Sequence, residues 1–338
     1  MDKPDVVLTV EHVARHFPVR GAFLKKSGSV VKALDGVSFE LRAGETLGIV
    51  GESGCGKTTL ARTIVGLDRP TSGAVKFRGN DVHAARGAEA KSLRRRIQIV
   101  LQDPYASLNP RRTLRDILMQ PFQIHTDVIP RSKRMARVSE LVELVGLNPD
   151  HLDRYPFQFS GGQRQRIGIA RALALEPEVI VCDEPVSALD VSIQAQVVNL
   201  LQRLQAELGL SYVFIAHDLS VVRHISDRIG VMYLGKVVEL GDRGAVYDTP
   251  AHPYTSALLS AAPIPDPALR GTRQRRLLQG DPPSPVNPPS GCRFRTRCWQ
   301  AADICATHEP PLASVADGAD REVACHFPLT VSASSTSR

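Results

Sequence analysis

The sequence predicts an α/β fold built on a largely parallel sheet, with a helical insert and a cysteine-containing C-terminal extension. Two patterns carry that expectation. Short β-branched runs alternate with segments of helical periodicity, and one of those runs ends in paired carboxylates, where such sheets collect ligand-handling residues. Glu45 to Val50 reads as a buried strand, Lys57 to Leu67 as a helix and Val179 to Asp183 as a strand. Ile193 to Glu207 follows as an amphipathic helix and Ser211 to Ile215 as a further strand. Between about residues 98 and 177 the pattern turns mainly helical, with Ser132 to Val145 and Gln163 to Leu175 the clearest helices. Past about residue 260 proline density rises, as in Ala262-Pro263-Ile264-Pro265-Asp266-Pro267, which places a boundary between a 1–260 domain and a 261–338 extension.

The 338 residues suffice for a sizeable core, and a hydrophobic fraction of 43% is that of an ordinary globular chain. No apolar run approaches the roughly 20 residues that span a bilayer. The N-terminus lacks a basic segment followed by an apolar stretch, so a cytosolic location is expected. Six cysteines are then reduced thiols that serve metal binding or packing. Net charge is +7, concentrated at Arg94-Arg95-Arg96, Arg111-Arg112 and Arg270, Arg273, Arg275 and Arg276. That sign alone does not choose between nucleic acid, anionic lipid and nucleotide phosphates, and each cluster also fits a solvated face.

Gly51-Glu52-Ser53-Gly54-Cys55-Gly56-Lys57-Thr58 matches G-x-x-x-x-G-K-[ST] between a hydrophobic strand and a helix-forming segment. Glycines 51, 54 and 56 permit conformations in which successive N–H groups face phosphate oxygens, and the following helix adds its positive N-terminal end. Lys57 neutralises the β- and γ-phosphates, Thr58 offers a hydroxyl to Mg²⁺, and Ser53, Cys55 and Thr59 complete the loop. Cys55 is a small loop residue and not a nucleophile. At the end of Val179-Ile180-Val181-Cys182, Asp183 fits a magnesium partner and Glu184 a general base for the attacking water. Asp190 fits both a nucleotide contact and the N-cap of the helix beginning near Ser192.

Phe159-Ser160-Gly161-Gly162-Gln163, followed by Arg164-Gln165-Arg166, narrows the reading, because Ser160 and two glycines open a helix whose N-terminus can hold a γ-phosphate. The segment resembles the signature sequence of ABC ATPases, about twenty residues before the acid pair, as in that family. The resemblance implies a P-loop, RecA-like core with a helical subdomain, and ATP and Mg²⁺ as ligands. It further implies that Ser160, Gly161, Gly162 and Gln163 of one subunit close on ATP held by the loop of another. It assigns Gln102 to magnesium and to sensing the membrane subunits, and His217 to the γ-phosphate. The adenine-stacking aromatic is expected at Phe17, between the first strand and the Val31-Lys32-Ala33-Leu34 strand, with Phe23 the alternative.

Four segments sharpen the resemblance towards the ATPase subunits of dipeptide and oligopeptide importers. They are Val31 to Phe39, Gln102 to Arg111, His252-Pro253-Tyr254-Thr255 and Pro285 to Cys292. Ser53-Gly54-Cys55-Gly56-Lys57-Thr58-Thr59 looks like the loop of the second ATPase of such machines. The resemblance implies a distinct partner ATPase, two permeases and an extracytoplasmic peptide-binding protein, with the chain peripheral on the cytoplasmic membrane face and no nucleic acid partner. Residues 103–112 would meet a permease. Nickel, glycans or other solutes remain alternative cargoes, and a non-transport ABC ATPase is the alternative class.

Cys292, Cys298, Cys305 and Cys325 lack the paired spacing of common zinc ribbons. Four thiols in a proline-rich tail still favour a metal centre, and peptide-importer ATPases with such a tail resemble carriers of a [4Fe-4S] cluster, zinc being the alternative.

Overall fold

The structure, a computed structural model, describes residues 5–19, 30–103, 105–261, 278, 280–315 and 320–329. Phe23, the arginines at 270–276, the proline run at 262–267 and the Ser/Thr-rich terminus lie outside the described residues.

The chain opens with β1 (Val6–Pro18), β2 (Val30–Arg42), β3 (Thr46–Val50) and α1 (Lys57–Ile64), followed by β4 (Ser72–Phe77), β5 (Asn80–Asp81), α2 (Gly87–Arg96) and β6 (Ile97–Val100). Three helices come next, α3 (Leu114–Ile124), α4 (Arg134–Leu144) and α5 (Gly161–Leu173), before the chain returns to β7 (Val179–Asp183). After α6 (Val191–Leu208), β8 (Ser211–Ile215), α7 (Leu219–Ile225), β9 (Arg228–Tyr233) and β10 (Lys236–Asp242), it ends with α8 (Arg243–Asp248), α9 (Pro253–Ala261), α10 (Asp303–Thr307), β11 (Ala313–Ser314) and β12 (Arg321–Val323).

Two sheets result. The smaller is antiparallel, in the order β2-β1-β4-β5. On β2 the alternation Val37, Phe39, Leu41 faces inward, as a sheet covered on one side requires. The larger runs β11-β12-β10-β9-β3-β8-β7-β6, and its strands β9, β3, β8, β7 and β6 are parallel. Every residue of β3, β7 and β8 is buried, which explains their unbroken apolar runs. One apolar core joins the large sheet to α3–α6 and includes Phe122, Val142, Ile169 and Leu201. A second lies between the two sheets and α1, around Leu34, Leu47, Leu60 and Phe77.

Local chemistry sets the helix limits. The Ser160 hydroxyl accepts the Gln163 N–H and the Gln163 side chain accepts the Ser160 N–H, so α5 begins at Gly161, two residues before the expected start. α1 stops at Ile64, short of the expected Leu67, because Gly66 at φ +77° turns the chain left-handed. The described tail returns to the body: β12 pairs antiparallel with β10, and Phe294 packs against Tyr233, Tyr254 and His252. Among the described residues no helix is long and apolar enough to cross a membrane. Truncating Phe214, fully buried in the central strand β8, to Ala is expected to cost about 3–5 kcal/mol, read as a lower midpoint in urea unfolding.

Candidate nucleotide site

The sheet delivers the predicted residues to one edge. Strand β3 runs into the loop at Gly51, where a side chain would meet the Met232 carbonyl at 2.2 Å. Gly56 adopts φ +112°, and a side chain there would meet the Ala33 carbonyl at 2.2 Å, so only glycine fits both turns of the loop. The first turn of α1 leaves the N–H groups of Lys57, Thr58 and Thr59 without intrahelical acceptors, a ready anion cradle. Lys57 is 5% exposed, and its ammonium donates to the carbonyls of Gly51 at 2.7 Å and Glu52 at 3.1 Å. A phosphate would replace those carbonyls as its partner.

The carboxylates converge on this loop from β7. Glu184 takes a left-handed φ of +45°, pinned by its N–H donating to the Ile215 carbonyl at 2.9 Å. Its Oε2 accepts from Gln102 Nε2 at 2.8 Å and lies 3.5 Å from His217 Nδ1, while its Oε1 is 3.9 Å from Lys57 Nζ. Asp183 is buried and accepts the Thr58 hydroxyl at 3.3 Å. Burial pushes the Asp183 carboxyl up to about 6; the Thr58 bond and the Lys57 and Arg62 cations oppose the rise, and the Glu184 charge adds to it. Thr58, Asp183 and Gln102 therefore present a hydroxyl, a carboxylate and an amide beside the phosphate cradle, the hard-oxygen donors that suit Mg²⁺.

The remaining expected residues are distributed unevenly. Ser160 and Gln163 hydrogen-bond each other at an exposed helix start, and among the described residues neither reaches the 51–59 loop. Gly162 packs so closely on α6 that a side chain would lie 2.4 Å from Ile193 Cγ2. Asp190 occupies the N-cap of α6, yet its side chain makes no capping bond. Phe17 stands inside β1, paired with Val31, rather than between strands, and the Arg15 guanidinium covers its ring at 4.4 Å. Ser53 and Gly54 are exposed, Cys55 is buried, and burial raises its thiol pKa, so it stays protonated.

The cysteine expectation is overturned. Cys292, Cys298, Cys305 and Cys325 border a narrow cleft with Phe294 and Phe327, but among the described residues no group of three or more His, Cys, Asp or Glu side chains could hold a metal ion. Burial raises the thiols of Cys292 and Cys298, and that of Cys325 to about 11. Neither the iron-sulfur cluster nor zinc is retained.

Three contacts to the loop had no signal in the sequence. The Tyr254 hydroxyl accepts the Glu52 N–H at 3.0 Å, the Gly235 N–H donates to the Cys55 carbonyl at 2.8 Å, and Arg297 pairs with Glu52. Tyr254 stood in a segment noted for its resemblance, but nothing there indicated a contact with the phosphate loop.

A phosphate cradle closed by a buried lysine, with a carboxylate pair at the end of a parallel strand of the same sheet, defines a P-loop nucleoside triphosphatase. Residues 34–187 match the family described as ABC transporter, and residues 238–305 match the oligopeptide/dipeptide transporter C-terminal region. The chain is 54% identical to the oligopeptide transport ATP-binding protein AppF of Bacillus subtilis over 96% of its own length and 98% of that protein. It is 53% identical to the oligopeptide transport ATP-binding protein OppF of Salmonella typhimurium, covering 92% and 94% respectively. A dimeric ATP-binding cassette, MJ0796, in a post-hydrolysis state bound to ADP and Pi, superposes with a TM-score of 0.61 at 29% identity, covering 70% of this chain and 98% of that one. The chain belongs to the ABC transporter family and binds ATP.

A raised carboxyl pKa means that the nucleotide-free fold binds a proton the unfolded chain releases. Stability is therefore lost as pH rises from about 4 through about 6. Asp183→Asn is expected to raise the melting temperature at pH 8 and leave it unchanged near pH 4, measured by calorimetry without nucleotide.

Proposed function

We propose that this chain is the ATP-hydrolysing subunit that energises peptide uptake through an ABC importer, with Glu184 the general base. The observation that carries the proposal is the convergence of Lys57, Gln102 and His217 on the Glu184 carboxylate, beside a phosphate-binding loop. Lys57 exchanges its two loop carbonyls for phosphate oxygens and, with the N-terminus of α1, balances the triphosphate charge. Glu184 accepts a proton from the attacking water, and Gln102 and His217 hold its carboxylate in place. Thr58, Asp183 and Gln102 are the residues that would hold Mg²⁺, which when bound neutralises charge developing on the phosphates.

The peptide cargo rests on the match to the oligopeptide/dipeptide transporter region and on the names that AppF and OppF carry. In this reading 1–260 is the ATPase domain, about 98–177 its helical subdomain and 261–338 the cysteine-containing extension. Ser160, Gly161, Gly162 and Gln163 face the loop of a second ATPase, a distinct paralogue, because the signature helix starts at the surface and does not reach its own loop. Phe17 stacks on adenine, and Asp190 contacts the facing nucleotide.

Two permeases and an extracytoplasmic binding protein complete the machine, with this chain on the cytoplasmic face of the membrane. The permease surface includes Tyr105, 63% exposed, and the stacked pair Tyr155 and Phe157. Arg164 of the signature helix lies 3.9 Å over the Tyr105 ring, so a push at this surface reaches Ser160 through one helix.

Reconstituted with its permeases, partner ATPase and binding protein, the chain is expected to hydrolyse ATP faster when peptide is supplied. Glu184→Gln should lower that turnover at least about 10²-fold while MgATP still binds. Turnover indifferent to peptide and permease would remove the transport assignment, and a fully active Glu184→Gln would remove the base.

A further inference from the structure

The tail reaches the phosphate loop through two arginines four residues apart. Arg297 places both terminal nitrogens on the Glu52 carboxylate, at 2.8 and 3.1 Å, across 245 residues of sequence. Its side chain is 6% exposed, and Glu52 is the only carboxylate within ion-pairing distance of it among the described residues. Arg293 donates to the Leu234 carbonyl and pairs with Asp35. The neighbouring Gly235 carbonyl accepts the Asp35 N–H, and the Gly235 N–H donates to the Cys55 carbonyl. Phe294 anchors the segment between these arginines, in contact with Tyr233, Tyr254 and His252.

Glu52 is thereby held at three points. Its N–H meets Tyr254, its carbonyl meets Lys57, and its carboxylate meets Arg297. An unpaired carboxylate in a phosphate loop repels the anion the loop exists to bind, and a buried arginine without its partner is costly. A two-pronged pair cancels the charge and fixes the direction of the loop backbone at once.

We infer that Arg297 is a positioning residue for nucleotide binding: it neutralises and orients Glu52, so that the Arg293–Arg297 segment of the tail sets the affinity of the phosphate loop for ATP. The inference rests on the ATPase reading above. Arg297 touches no reacting atom, so its loss acts on binding and leaves the chemical step intact.

The test is equilibrium binding of a fluorescent ATP analogue with Mg²⁺ to the full chain, expressed per competent site, together with KM and kcat for ATP. Arg297→Met is expected to weaken binding and raise KM about tenfold with kcat kept, and Arg297→Lys, which keeps charge but loses the fork, about threefold. Adding Glu52→Gln to Arg297→Met should recover about threefold of the affinity, because it removes the uncompensated anion. A purely structural role would give no such recovery. Arg295→Met, whose guanidinium bonds the Ser290 carbonyl instead, is the control and should stay within about twofold of wild type. Should Arg297→Met fail to fold, the Arg297→Lys KM decides alone. Affinities of the Arg297 variants within twofold of wild type, or further weakening by Glu52→Gln, would overturn the inference. A wild-type chain that binds no MgATP would instead refute the ATPase reading.

Discussion

Ile49 lies opposite Ile215, and Ile215 opposite Asp183, so strands β3, β8 and β7 end at one height. Parallel pairing fixes that height, and each chain leaving a strand there carries one part of the site: the phosphate loop from β3, the acid pair from β7 and His217 from β8. Slippage by one residue would turn each of these side chains to the opposite face and dissolve the cluster. The full burial of the three strands, with apolar cores on both sides of the sheet, prevents such slippage.

Within this frame the electrostatics are tightly packed. A lysine, two carboxylates, an amide and an imidazole share a few ångströms, and Asp183 is held in surroundings that disfavour its charge. Burial and the neighbouring Glu184 charge both disfavour its ionised form, while Thr58, Lys57 and Arg62 favour it. The left-handed backbone of Glu184 belongs to the same economy: strain is tolerated where it aims a carboxylate at the phosphate cradle.

The signature helix and the tail extend the site in different directions. Ser160 opens a helix at the surface, where it is available to another chain, and Arg164 links that helix to the exposed Tyr105. The tail closes on the loop from the same chain, through Glu52, Asp35 and the turn at Leu234 and Gly235. Of these two elements only the tail touches the phosphate loop of its own chain among the described residues.

Much of the site could be read from short stretches of sequence, because their chemistry is local. The Gly-rich loop, the strand ending in Asp183 and Glu184 and the Ser160 capping box each specify their conformation within about ten residues, and β7 and β8 span the residues expected of them. Periodicity also identified α4, α5 and α6, with limits shifted by one or two residues through caps and a left-handed glycine. Phe17, expected between two strands, lies within β1 because that strand continues to Pro18, a length set by pairing with β2 and invisible in the run itself. The cysteine spacing admitted a metal centre that the packing of the thiols does not support. The pairing of Arg297 with Glu52, and of Tyr254 with the Glu52 N–H, was decided only by the tertiary structure. Spacing along a chain encodes partners a few residues away, whereas contacts across some two hundred residues depend on how the strands and the tail close on one another.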